Sequence, residues 1–200
     1  MTAADAGALA GFLAPGDALP RPHGNCYWLW PGRILAGEHP FANRAPLQAA
    51  PLERLLAAGV RATIDLTEAS EGLARYDALW DERRALHGDG PPCAHVPIPD
   101  YGLPSPEALA EVLARLQAHL RDGPPVYLHC HGGAGRTGTV AACLMVEAGL
   151  APEQALARLA AKWQVMDKRG RIPHSPETEA QRQFVLERRP PPLPTTISSP

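Results

Sequence analysis

The stretch VYLHCHGGAGRTGTV, Val126 to Val140, constrains this chain more than any other. Its apolar start reads as a short buried strand, and the residues from Thr137 to Glu147 read as a helix. Between the two, Gly132, Gly133 and Gly135 let the backbone curl until successive N–H groups point inward and form a nest for an anion. The start of the helix adds its own unpaired N–H groups and the positive end of its dipole. The spacing therefore predicts an oxyanion cradle running through His131, Gly132, Gly133, Ala134 and Gly135. Arg136 closes it with a planar fork that matches two phosphate oxygens, a geometry that lysine lacks.

Cys130 opens the loop, where the same positive field favours the thiolate, the nucleophilic form of cysteine. Thr137 is placed to donate its hydroxyl to that sulfur, which matters when the thiolate must leave again after a covalent step. A zinc site of His129, Cys130 and His131 is the rival reading. Three consecutive residues do not converge easily on one tetrahedral ion, and no second ligand pair has finger or ribbon spacing. Neither a metal nor an organic cofactor is expected. Cys26, Cys93 and Cys143 are widely scattered and read as small apolar filler, kept as thiols in a reducing compartment.

The rest of the chain alternates strand and helix. Strands are predicted at 33–37, 61–67 and 94–100, the last punctuated by prolines that suit a sheet edge. Helices are predicted at 51–59, 74–88, 152–163 and 176–188, with the apolar residues of the second at Tyr76, Leu79, Trp80 and Leu86. A further helix starts at Ser105, a cap followed by Pro106 and Glu107 in the first turn, and the 176–188 helix is predicted to take Ser175 as its cap. This order gives an α/β fold with a central mixed, mainly parallel sheet flanked by helices. The length of 200 residues suits one domain, placed at 25–188, with a flexible segment at 1–24 and a disordered Pro-rich tail at 189–200.

A net charge of -2 leaves no electrostatic footprint for nucleic acid or an anionic membrane. The first residues lack the basic start and apolar core of a secretory signal, and no stretch approaches the roughly 18 apolar residues needed to span a bilayer. A cytoplasmic monomer is the expectation.

HCHGGAGRTG, residues 129–138, resembles the His-Cys-x5-Arg-Thr/Ser loop of the cysteine-dependent protein tyrosine phosphatases, most closely the compact dual-specificity branch of small bacterial type. The likeness extends to YWLWPGRILAGEHP, IDLTEASE, VPIPDYGLPS and HSPETEAQRQFV, and so covers roughly residues 27 to 188. It implies a phosphatase that passes through a cysteinyl-phosphate, with Cys130 as nucleophile, Arg136 on the phosphate and Thr137 easing departure of the sulfur. Local chemistry leaves Asp100 open between a turn former and an acid. The resemblance implies the acid, since Asp100 stands about thirty residues before the cysteine, where the family has its proton donor. It also implies that His129 orders the loop, while His131 falls at a variable position.

Near the C-terminus, Glu177 stands where larger members of the family have the first glutamine of a Gln-Thr-x-x-Gln stretch that places the hydrolytic water. Glu177 also fits the first turn of a helix capped by Ser175, and that capping role is the one expected. Gln181 or Glu177 is left open for the water. The variable loop positions His131, Gly132 and Ala134 carry no lysine, which favours a phosphorylated protein over phosphoinositides or inositol phosphates. A phosphate-binding module without turnover is the other class, and it would have no need of the nucleophile.

Overall fold

The computed structural model describes residues 10–13, 19–43, 46–87 and 92–189. Five strands form one sheet: β1 (Cys26–Trp30), β2 (Ile34–Glu38), β3 (Ala62–Asp65), β4 (Ala94–His95) and β5 (Val126–Cys130), in the order β1-β2-β5-β3-β4. Only β1 is antiparallel to its neighbour. The mixed, mainly parallel α/β sheet is therefore as expected. β4 takes the edge position that its prolines suit, though the ladder spans only two residues of the predicted 94–100 strand. Prolines at 97 and 99 have no N–H to give the ladder.

β1 is a strand that sequence periodicity does not flag. It is tied to β2 by a tight turn in which Pro31 precedes Gly32 at φ 70°, and the Arg33 N–H closes on the Trp30 carbonyl at 3.0 Å. That is type II turn chemistry, with glycine where φ must be positive.

Among the described residues, six α-helices of eight residues or more cover the sheet. They are α1 (Ala49–Ala57), α2 (Asp77–Ala85), α3 (Pro106–Arg121), α4 (Gly135–Glu147), α5 (Pro152–Trp163) and α6 (Glu179–Leu186). Strand side chains alternate between faces. Val126, Leu128 and Cys130 of β5 thus share a core with α3 to α6, whereas Tyr127 packs with Leu52, Leu55 and Leu56 of α1 and Trp80 of α2. Ser105 caps α3 as predicted, accepting the Ala108 N–H at 3.1 Å.

Four expectations change. The helix predicted at 74–88 is formed at 77–85, and Leu86 lies beyond it at 70% exposure while Tyr76 and Trp80 are buried. The C-terminal helix starts at Glu179 rather than 176: Thr178 accepts the Gln181 N–H and Gln181 reaches back to the Thr178 N–H, a reciprocal capping box. Ser175 is unavailable as a cap because its hydroxyl donates to the Ala134 carbonyl, so Glu177 is not in a first helical turn. The segment expected to be flexible is not uniformly so: Phe12 is fully buried against Trp30 at a 5.0 Å ring separation, and Arg158 Nε donates to the Phe12 carbonyl at 2.7 Å. Apolar burial of that one ring is worth about 2 kcal/mol. The tail beyond residue 189 lies outside the described residues. Among the described residues no helix is long and apolar enough to cross a membrane.

Candidate active site

The parallel strands β2, β5 and β3 end side by side, and ligands of open α/β sheets bind at such carboxyl ends. Cys130 is the last residue of β5, paired with Glu38 at the end of β2. The chain then turns through residues 131–134 into α4, so the predicted strand, loop and helix are formed, with the helix beginning at Gly135.

Carbonyls anchored outside the loop turn its N–H groups inward. The His131 carbonyl accepts from the His39 N–H at 3.0 Å, the Gly132 carbonyl from Lys168 Nζ at 2.9 Å, and the Ala134 carbonyl from Ser175 Oγ at 2.8 Å. Because each peptide is planar and trans, fixing a carbonyl outward aims the next N–H the opposite way. The Gly133 N–H indeed points to the Cys130 sulfur at 3.3 Å. Gly133 has φ 76°, and a Cβ there would lie 2.4 Å from the Gly37 carbonyl carbon, so it must be glycine on both counts.

Arg136 is 2% exposed and held from one side. Glu71 takes it bidentately, Oε1 from NH1 at 2.5 Å and Oε2 from NH2 at 2.9 Å, and the Ile98 carbonyl accepts from NH1 at 3.1 Å. Burial pushes the Glu71 carboxyl up, but the hydrogen bonds from Arg136 and from the Glu68 N–H, with the nearby positive charge, together hold it below the usual carboxylate range. Glu71 thus sets the guanidinium plane. Its role was not readable from the sequence, although it lies inside IDLTEASE.

Asp100 reaches the same guanidinium from the open side, Oδ1 accepting from NH2 at 2.8 Å with its own side chain 44% exposed. Its backbone N–H is held by Glu68 Oε2 at 3.2 Å, and Tyr101 follows at φ 55° and 62% exposure. Gln181 is fully buried and joins this loop to the cradle: Nε2 donates to the Gly102 carbonyl at 3.0 Å, while its side chain packs on Gly135. Glu177 lines the cleft, where burial and then the Asp100 charge push its carboxyl up.

His129 is fully buried, and burial pushes its imidazole down to about 3, so it is neutral. Its Nε2 lies 2.5 Å from the Tyr76 hydroxyl. Burial raises the Tyr76 hydroxyl well above its ordinary value and keeps it protonated, and the other ring nitrogen, Nδ1, faces Asp65 Oδ1 at 3.7 Å. His131 lines the cleft with Nδ1 3.8 Å from Glu71 Oε2. Thr137 departs from expectation. Its hydroxyl is buried and bonds no atom of the described residues, the sulfur instead receiving the Gly133 N–H. Burial pushes the thiols of Cys26 and Cys93 up to about 11 and that of Cys143 up to about 12, so these three stay protonated.

Two groups of metal-type donors occur among the described residues, each with donor atoms within 4.8 Å: His39, Asp65 and His129, and Asp77, Cys93 and His95. In the first, Asp65 Oδ1 is committed to the Thr67 N–H and hydroxyl, and His39 Nδ1 to the Phe41 N–H. In the second, the Arg75 guanidinium already supplies the positive charge, with Nε 3.0 Å from Asp77 Oδ2.

Lys168, absent from the sequence-predicted site, is 8% exposed and spans the Gly132 carbonyl and Glu38 Oε2, the latter at 2.5 Å. Lys168→Met is expected to free the Gly132 peptide and lower kcat/KM for p-nitrophenyl phosphate by about tenfold, mainly through KM, with Lys168→Arg recovering much of it. Unchanged kinetics in Lys168→Met would remove Lys168 from the account of the loop.

A family model described as the Swiss Army Knife protein DSP-PTPase phosphatase domain matches residues 23–185. The chain belongs to that family. It is a cysteine-dependent phosphatase domain of the dual-specificity type. The crystal structure of Tk-PTP in its active form has a TM-score of 0.59 at 28% identity, covering 78% of this chain and 93% of that one. Kinase associated phosphatase has a TM-score of 0.59 at 21% identity, covering 76% and 83%, which speaks for the fold alone. Among curated relatives, an uncharacterised protein of Methanocaldococcus jannaschii is 38% identical over 82 residues, 40% of this chain and 54% of its own length. Cyclin-dependent kinase inhibitor 3 of Sus scrofa is 38% identical over 64 residues, 31% of this chain and 30% of its own. The phosphatase domain thus matches about half or less of these curated relatives.

Proposed function

We propose that the domain hydrolyses phosphate monoesters on phosphorylated proteins in the cytoplasm, acting as a monomer through a cysteinyl-phosphate. The observation that carries this reading is the convergence of Cys130 at the end of β5, Arg136 in the first turn of α4 and Asp100 in the segment after β4, at one carboxyl edge of the sheet. The Asp100 carboxylate in this structure occupies the open side of the Arg136 guanidinium, where an anion's oxygen would bind. An arriving phosphate would replace it there. Glu71 keeps the far edge of the fork filled, so the plane of Arg136 is set before substrate arrives.

The Cys130 thiolate then attacks phosphorus in line, while Arg136 and the inward N–H groups of 131–136 hold the equatorial oxygens. Asp100, released from Arg136 and protonated from solvent, gives that proton to the leaving oxygen. Water next attacks the cysteinyl-phosphate with Asp100 as base, phosphate leaves, and the thiolate is restored. Thr137, whose hydroxyl has no partner among the described residues, is free to turn toward the departing sulfur. Of the two candidates for placing that water, Glu177 is favoured, because it faces the cleft, whereas both polar ends of the Gln181 amide are committed to the backbone. His129 is a positioning residue that ties the strand end to Tyr76.

Turnover of p-nitrophenyl phosphate by the purified protein in EDTA tests the reading at once. Steady hydrolysis is expected, and a protein that binds vanadate without hydrolysing any monoester would be a phosphate-binding module instead. A panel of phosphopeptides against phosphoinositides then tests the substrate class.

A further inference from the structure

The cradle opens into a cleft of about 770 Å³, far more room than a phosphate group fills and within the range of pockets that enclose a whole ligand. Its charged lining is unevenly spent. Glu38 is taken by Lys168 and Asp100 by Arg136. Glu177 is the remaining carboxyl of the lining, and its surroundings push it toward the neutral form. Arg54 and Arg171 line the same cleft, and neither guanidinium forms an ion pair or hydrogen bond with a described residue. Glu53, next to Arg54 in sequence, is engaged elsewhere by Arg83 and His87.

Both arginines are tied to the cradle through short stretches of backbone. Arg171 ends the 3-10 turn Asp167–Gly170, its N–H bonded to the carbonyl of Lys168, the residue that holds Gly132. Arg54 lies on α1, across from the 38–43 segment whose His39 N–H holds the His131 carbonyl. Apolar side chains line the same cleft, Pro40, Pro51, Ile172 and Tyr101 among them, the last 62% exposed.

The geometry points to Arg54 and Arg171 as a second anion subsite, which selects phosphopeptides carrying aspartate or glutamate close to the phosphorylated residue. Arginine forks recognise carboxylates with good geometry, and here they stand beyond the group that holds the phosphate being transferred. The apolar lining favours a peptide over a small polyphosphate, since the former brings aliphatic and aromatic side chains to cover Pro40, Pro51 and the exposed Tyr101 while its acidic residues reach the arginines. The inference rests on the phosphatase reading for the orientation of the substrate, but not for the existence of the subsite.

The test compares two phosphotyrosine peptides of equal length, one with Asp and Glu flanking the phosphotyrosine and one with Asn and Gln in their place. Parent protein at low salt is expected to favour the acidic peptide roughly three- to tenfold in kcat/KM, and the Arg54→Gln/Arg171→Gln double variant to lose that preference. Equal rates on the two peptides in the parent, or a double variant that slows both by one factor, would overturn the subsite while leaving the phosphatase reading intact. A soluble inositol polyphosphate or a phosphoinositide vesicle processed faster than the acidic peptide would overturn the peptide as its occupant. Binding of the acidic peptide to Cys130→Ser, followed by fluorescence anisotropy, separates the two claims. Binding that depends on both arginines supports the subsite even if the parent hydrolyses nothing, an outcome that would sink the phosphatase reading alone.

Discussion

Cys130→Ser is expected to lower turnover of p-nitrophenyl phosphate by about 10⁴-fold or more and to keep its affinity for phosphate or vanadate. The two halves of that result have separate causes. A serine hydroxyl does not ionise at neutral pH, so the nucleophile is gone, whereas the inward N–H groups, Arg136 and its Glu71 brace are untouched. The exchange is also nearly isosteric at a buried position, so the fold should survive it. Anion binding is read from a thermal shift or by calorimetry. A variant that turns over within tenfold of the parent would rule out a covalent intermediate on this sulfur, and one that no longer binds anions would mean that the loop itself needs the thiol.

Asp100→Asn is expected to slow release of poor leaving groups, such as an unactivated phenol or an alkoxide, by about 10²–10⁴-fold, and release of an activated phenol far less. The structure adds an alternative that the sequence does not suggest. Because Asp100 also pairs with Arg136 at 2.8 Å, its loss could act through the position of the guanidinium rather than through a proton. The two causes separate on a series of aryl phosphates of graded leaving-group strength. A slope that steepens in the variant assigns the proton to Asp100, and a uniform loss across the series assigns its effect to Arg136. In the second case the acid must be sought elsewhere. Glu68 already holds the Asp100 backbone, and Asp65 is buried against Thr67, so neither is poised to replace it without moving.

Local features were legible in the sequence and contacts between distant segments were not. The cradle could be read because strand, glycines, cysteine and arginine sit within fifteen consecutive residues and each has one conformational use there. The Ser105 cap was legible for the same reason. Glu71 was not, because its partner Arg136 is 65 residues away and a glutamate in a loop carries no local sign of what it will brace. Lys168 is similar: it reaches Gly132 across 36 residues and Glu38 across 130, and as one of only two lysines it was given no role. Ser175 misled because Ser-Pro-Glu has the local form of a helix start, yet a tertiary bond to Ala134 claimed its hydroxyl, and the Thr178–Gln181 box three residues on set the boundary instead. Leu86 fitted the apolar stripe of α2 by spacing alone, but the helix ends before it reaches the core. Phe12 was hidden by its surroundings, a stretch rich in alanine and glycine with no periodicity to show that one ring would dock against Trp30.

The most direct measurement of the central claim is mass spectrometry of the protein quenched in acid during steady hydrolysis of an aryl phosphate. Acid preserves a phosphate on sulfur long enough to be mapped after digestion at low pH. The account predicts one phosphate on the peptide that contains Cys130, absent from Cys130→Ser and, with an activated phenol as leaving group, enriched in Asp100→Asn, where the first step needs little acid but the second has lost its base. Continued hydrolysis with no phosphate on Cys130 at any quench time, together with net inversion of configuration at phosphorus as a single displacement by water requires, would contradict it.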